Sequence, residues 1–117
     1  MTAIKPEVRE LLRTLEHQQP GTTTELIRLF AVDAPVLLQR IYGAHAMRDA
    51  EGLVQAAHYL RSSALALGLS DIEAGALALE RDAAAAIDDA ATRVRLDALR
   101  SQVESAVREL RGLLDAV

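Results

Sequence analysis

From Leu96 to the end, the chain is patterned for one kind of backbone. Leu96, Leu99, Val103, Ala106, Leu110, Leu113 and Val117 follow one another at alternating steps of 3 and 4, without a miss. An α-helix turns once in 3.6 residues, so these steps keep all seven on one stripe. On a strand, where successive side chains alternate between faces, the same residues would be divided between two sides. The stretch therefore reads as a long amphipathic helix whose stripe has to be covered. Two coverings are open: the core edge of a bundle made by the same chain, or a coiled-coil seam joining two copies. Short connections elsewhere favour the first, and with it a monomer.

The helical period recurs upstream. Pro6 can occupy the first turn of a short helix with Val8, Leu11, Leu12 and Leu15 as its apolar face, ended by Gln18-Gln19-Pro20-Gly21. Thr22 and Glu25 form a capping box for the next helix, which carries Leu26, Leu29, Phe30, Leu37, Leu38 and Ile41. Pro35 inside it predicts a kink or short break near Asp33-Ala34. Gly43 to Arg48 reads as a frayed end and a connection. Asp49 is the N-cap of a helix running to about Leu67, with Leu53, Ala57, Leu60, Ala64 and Leu67 as its stripe, and Gly68 ends it in a left-handed conformation. Ser70 and Glu73 make another capping box, ahead of an apolar face of Ile72, Ala76, Leu79 and Ala83. Ile87-Asp88-Asp89 reads as a turn, with Asp88 or Asp89 as the cap of the last helix. No strand-like alternation occurs. The expected fold is all-α: an antiparallel four-helix bundle with a short additional N-terminal helix, one domain spanning residues 1–117. Aromatics are only 3% of the chain, so Ala and Leu must fill the core, which suits closely packed helices.

Several function classes are excluded or disfavoured. There is no cysteine, hence no disulfide and no thiolate metal site. No two of His17, His45 and His58 stand at a metal-ligand spacing of 3 to 5, and no HExxH occurs. Gly68 and Gly75 are isolated, so there is no glycine-rich phosphate loop. The Asp88-Asp89 pair suits a helix cap better than an acid–base dyad. The formal net charge is −4 with no basic patch, which argues against nucleic acid. No apolar run approaches the roughly 20 residues of a membrane span, and Met1-Thr2-Ala3-Ile4-Lys5-Pro6 has no apolar signal region. The expected location is the cytoplasm.

One residue in the central helix stands apart from its stripe. At roughly 100° per residue, His58 lies about 140° from Leu53, on the side turned away from the core. Its neighbours on the helix surface are Val54, Arg61, Ser62 and, two turns on, Leu65. Periodicity alone favours an idle surface histidine. His17, in a polar helix end, and His45, in a connection, read as solvated bystanders.

The string His58-Tyr59-Leu60-Arg61-Ser62-Ser63, with Gly68 ten residues after the histidine and Leu79-Glu80 beyond, resembles the histidine-containing phosphotransfer (HPt) domain family over about Leu26 to Glu80. The family pattern is approximately H-x-L-K-G-S. Arg61 stands where the family usually has Lys, and Ser62 where it usually has Gly.

The resemblance implies a phosphorelay intermediate of two-component signalling. His58 would accept a phosphoryl group from a receiver-domain aspartate and pass it to another receiver. The chemistry fits the residue types. Imidazole has a useful neutral fraction near neutrality, a helix holds it still, and phosphoryl transfer depends on positioning and electrostatics. Arg61 would offer a cation to the anionic group, and the Ser62 hydroxyl a donor to a phosphate oxygen. Glu80 resembles the family position that approaches and orients the imidazole. Val54 and Leu65 would flank the histidine as a docking patch, or else merely pack against a helix edge.

The implied partners are response-regulator receiver domains and a hybrid histidine kinase. The Mg²⁺ for transfer is expected on the receiver, with no cofactor in this chain, which would be a phosphocarrier and not an enzyme. One competing reading is a helical interaction module without phosphorylation, supported by Ser62. The other is a histidine-kinase dimerisation fragment, opposed by Tyr59 where an acidic residue is usual and by the 49 residues left after Gly68. The starting Met1 and the lack of a linker favour a freestanding chain.

Overall fold

Apolar spacing and helix caps decide where this chain turns. In the computed structural model, which describes residues 4–85 and 89–115, five helices follow one another: α1 (Pro6–Gln18), α2 (Thr22–Ala46), α3 (Ala50–Ala66), α4 (Ser70–Ala85) and α5 (Asp89–Asp115). No strand occurs among the described residues. The connections on either side of α3, residues 47–49 and 67–69, are short enough that α2, α3 and α4 must reverse direction at each. α2 touches α3 and α5, and α4 touches the same two, so the four close into a ring; α1 packs against α2.

The predicted stripes meet inside that ring. Leu53, Ala57, Leu60, Ala64 and Leu67 of the α3 segment are buried, as are Ile72, Ala76, Leu79 and Ala83 of α4. Burying a leucine side chain fully is worth about 1.5–3 kcal/mol, so α3 is anchored mainly by Leu53 and Leu60. On α5, Leu96, Leu99, Val103, Ala106, Leu110 and Leu113 are buried by helices of the same chain. That stripe needs no second copy to cover it. Val117 and the greater part of the Ile87-Asp88-Asp89 turn lie outside the described residues; Asp89 is the first residue of α5.

Several local expectations are corrected. α2 runs through Pro35 without a break. Pro35 removes only the bond to the Ala31 carbonyl, and Phe30, Ala34, Leu37 and Leu38, all buried, hold the turns on either side of it in the core. Thr22 and Glu25 do not form the capping box: the cap position is Gly21, in the left-handed region at φ +91°, with no side-chain cap of its own. The carboxylate comes instead from Glu16 of α1, whose Oε1 accepts from the Gly21 N–H at 2.8 Å and whose Oε2 accepts from the Thr23 N–H at 3.0 Å. These bonds, the Gly21 one foremost, hold the Glu16 carboxyl below the ordinary value of 4.5. Ser70 is already inside α4, and the Leu69 carbonyl accepts the first bond, from the Glu73 N–H. Leu11 and Leu29, assigned to apolar faces, are 65% and 50% exposed; Leu12, Ile27 and Phe30 hold the core positions beside them. His45 is not in a connection but in the last turn of α2, and its Nε2 is buried without a hydrogen-bond partner.

Candidate functional site

α3 starts where Asp49 caps it, accepting from the Gly52 N–H at 2.9 Å. A Cβ at Gly52 would meet the Asp49 carboxylate, so the cap would have to adjust its side chain to admit any larger residue there. α3 ends at Gly68, whose φ of +66° lies in the left-handed region that suits a residue without a Cβ. Between these stops the Leu53–Leu67 stripe fixes the rotation of the helix about its axis. His58, at the midpoint of α3, is thereby turned outward, its side chain 52% exposed.

The turn at residues 67–69 folds α4 back along α3 and brings Glu80 level with His58 and Arg61. Glu80 is mostly buried, its side chain 13% exposed. Its Oε1 lies 3.2 Å from His58 Nδ1, and its Oε2 accepts from Arg61 Nε at 2.6 Å. Arg61 Nη2 lies 2.9 Å from the same His58 Nδ1. Three charged or polar groups thus close a triangle, with one nitrogen of the imidazole at its shared corner. The Glu80 hydrogen bond raises the Arg61 guanidinium above its already high pKa, against a smaller opposing effect of desolvation. Arg61 is therefore a permanent cation, bound to α4 rather than reaching freely over the helix surface as its sequence position alone predicts. The other ring nitrogen, Nε2, lies across the imidazole from both partners.

The remaining predicted residues divide. Ser62 is exposed one turn beyond the histidine. Leu65 is 59% exposed, whereas Val54 is half-buried and packs on the core. A shallow depression beside the histidine is lined by Glu51, Val54, Gln55, Tyr59 and Glu80. Glu51 and Gln55 were not singled out in the sequence, although their spacings of 7 and 3 before His58 place them on its face. The Tyr59 ring is tilted 57° to the imidazole at 6.2 Å between centroids. Among the described residues no cluster of three His, Asp or Glu could hold a metal, and no helix is long and apolar enough to cross a membrane.

A larger groove lies elsewhere, between α2 and α5, lined by Leu38, Tyr42, Val103 and Val107 among others. It contains no histidine. At His58 the imidazole instead stands half-exposed on the surface of α3, with the Glu80 carboxylate and the Arg61 guanidinium against one of its nitrogens.

A protein-family model described as "Hpt domain" matches residues 25–117. No curated protein and no solved structure matches the chain.

Proposed function

The chain belongs to the Hpt domain family, and from that premise we propose that it is a phosphorelay intermediate whose acceptor is His58. Domains of this family serve histidine phosphotransfer in two-component signalling, as phosphocarrier modules working with receiver domains and kinases. The single observation that carries the reading is His58 itself: 52% exposed at the middle of a helix, with Nδ1 facing Glu80 and Arg61, which leaves Nε2 on the other side of the ring.

In the proposed step the donor is an acyl phosphate on a receiver aspartate. The Nε2 lone pair forms an N–P bond. The P–O bond to the aspartate breaks, and its electron pair stays on the carboxylate oxygen. The ring gains positive charge as the bond forms, and Glu80 stands beside the ring nitrogen that shares it. Arg61 can turn one donor toward the phosphoryl oxygens, and the Ser62 hydroxyl lies on the same side. Exposed Tyr59 and Leu65 and half-buried Val54 are the apolar contacts for the docked receiver. The Mg²⁺ such a step uses belongs to the receiver; this chain supplies the nucleophile and its setting. The reverse step hands the group to a second receiver. The cytoplasm is the compartment this role requires, and a monomer suffices for it.

Mixing the protein with a panel of phosphorylated receivers tests the reading. The wild type takes up the phosphoryl group from at least one. His58→Gln, at an exposed position that adds little to packing, takes up none while keeping its helical content. Uptake by His58→Gln equal to that of the wild type would overturn the assignment.

A further inference from the structure

The two contacts at His58 Nδ1 make opposite demands on the ring. A neutral imidazole carries one N–H, so one nitrogen donates and the other accepts. Glu80 Oε1, at 3.2 Å, can only accept, and its contact is a hydrogen bond when Nδ1 carries the proton. Arg61 Nη2, at 2.9 Å, can only donate, and its contact is a hydrogen bond when Nδ1 carries the lone pair. The first arrangement leaves the lone pair on outward Nε2, a nucleophile. The second protonates Nε2 and removes the nucleophile from the exposed side. Both cannot hold in the same ring at once, and Arg61 is joined to Glu80 at 2.6 Å, so the two competitors for Nδ1 are linked to each other.

Resting on the phosphorelay reading, we infer that Arg61 and Glu80 form a tautomer switch on His58. An arriving anionic phosphoryl group draws Arg61 Nη2 off Nδ1, that nitrogen becomes the donor to Glu80, and the lone pair moves to Nε2. The proton leaves Nε2 and appears on Nδ1, so the ring stays neutral until the N–P bond forms. Arg61 Nε keeps its bond to Glu80 Oε2, so the planar guanidinium pivots about that bond and does not leave the site. The imidazole is thus made reactive by the group it is to receive. Arg61 and Glu80 are positioning residues in this scheme, acting through the ring nitrogen that does not bond to phosphorus.

The tautomer can be read directly from the nitrogen-15 shifts of the imidazole in the intact protein, which also distinguish the neutral ring from the protonated one. Arg61→Met removes the donor and should raise the Nδ1–H share several-fold. Glu80→Met removes the acceptor and should lower it. Should Glu80→Met fail to fold, Glu80→Gln keeps the shape and should move the share in the same direction by less. Titration of the wild type with inorganic phosphate should raise the Nδ1–H share, and the same titration of Arg61→Met should not change it. An unchanged share in both Arg61→Met and the Glu80 variant overturns the switch, as does a lower share in Arg61→Met. No response of the wild type to phosphate overturns its triggering by an anion. None of these measurements depends on transfer: a protein that switches but accepts nothing from any receiver overturns the phosphorelay reading and leaves the switch standing.

Discussion

Replacing Gly68 by alanine tests how the turn holds the site together. The residue sits at φ +66°, between α3 and α4. A Cβ in that left-handed conformation costs about 1–2 kcal/mol from backbone sterics alone. The added methyl would also come 3.2 Å from Val8 Cγ2 and 3.3 Å from Val8 Cγ1 on α1, closer than ordinary contact. Valine is stiff at χ1 and cannot turn aside cheaply, so α1 has to shift by a few tenths of an ångström to relieve the contact. The contact therefore adds up to about 1 kcal/mol, the low end of overpacking costs. Gly68→Ala should lose about 1–3 kcal/mol in all, measured by urea denaturation followed by circular dichroism, with an unchanged dependence on denaturant. In a Val8→Ala background the same substitution should cost only the backbone part. Gly68→Asn should be milder than its size suggests, because asparagine tolerates the left-handed region. A loss below about 0.5 kcal/mol, the scatter of ordinary surface changes, would refute the backbone argument. An identical loss in both backgrounds would refute the Val8 contact.

Three further outcomes are expected. Leu60→Ala, at a fully buried position directly beneath the site, should cost about 2–5 kcal/mol in denaturation and reduce phosphoryl uptake only as far as it unfolds the protein. Glu16 has its folded pKa lowered by the backbone N–H groups it caps; its contribution is fully present above the unfolded value near 4.5 and is lost as pH falls through the lower folded value. Thermal melts compared across that acid range should show a smaller pH-dependent loss for Glu16→Gln than for the wild type. Ser62→Gly should speed transfer from a phosphorylated receiver if the side chain only crowds the docking face, and slow it if the hydroxyl holds the phosphate; transfer rates of the two proteins decide, with a helix cost of up to about 1 kcal/mol to be allowed for.

What could be read in advance follows from the range of the interactions. The stripes of α3, α4 and α5 were legible because burial repeats with the helical period, and one residue suffices to predict its neighbour three or four on. Asp49 and Gly68 were legible because a cap and a left-handed stop are local chemistry. Glu16 was not, since its partners lie five to eight residues ahead across a turn, and Thr22-Glu25 offered a local pattern that the real cap overrides. Leu11 and Leu29 show the limit of pattern reading, because an apolar residue at the edge of a stripe can face water without penalty large enough to forbid it. The outward direction of His58 came from angle alone. Its pairing with Glu80, 22 residues away on another helix, came only through the family resemblance. The grip of Glu80 on Arg61 was visible in neither, for it requires knowing how α4 lies along α3.

The attachment of α1 bears on how the molecule breathes. The start of α2, the turn from α3 to α4 and the last turns of α5 gather at one end of the antiparallel ring. α1 reaches all three: Glu16 caps α2, Val8 covers Gly68, and the Ile4 N–H just before the helix donates to Glu109 of α5 at 2.9 Å. Backbone amides at that end are therefore tied into one cooperative opening unit, where unlinked helix ends would fray separately. The middle of α3 is reached by opening only after the ends have gone, so His58 is presented by backbone whose amide protons should be among the last to exchange with solvent.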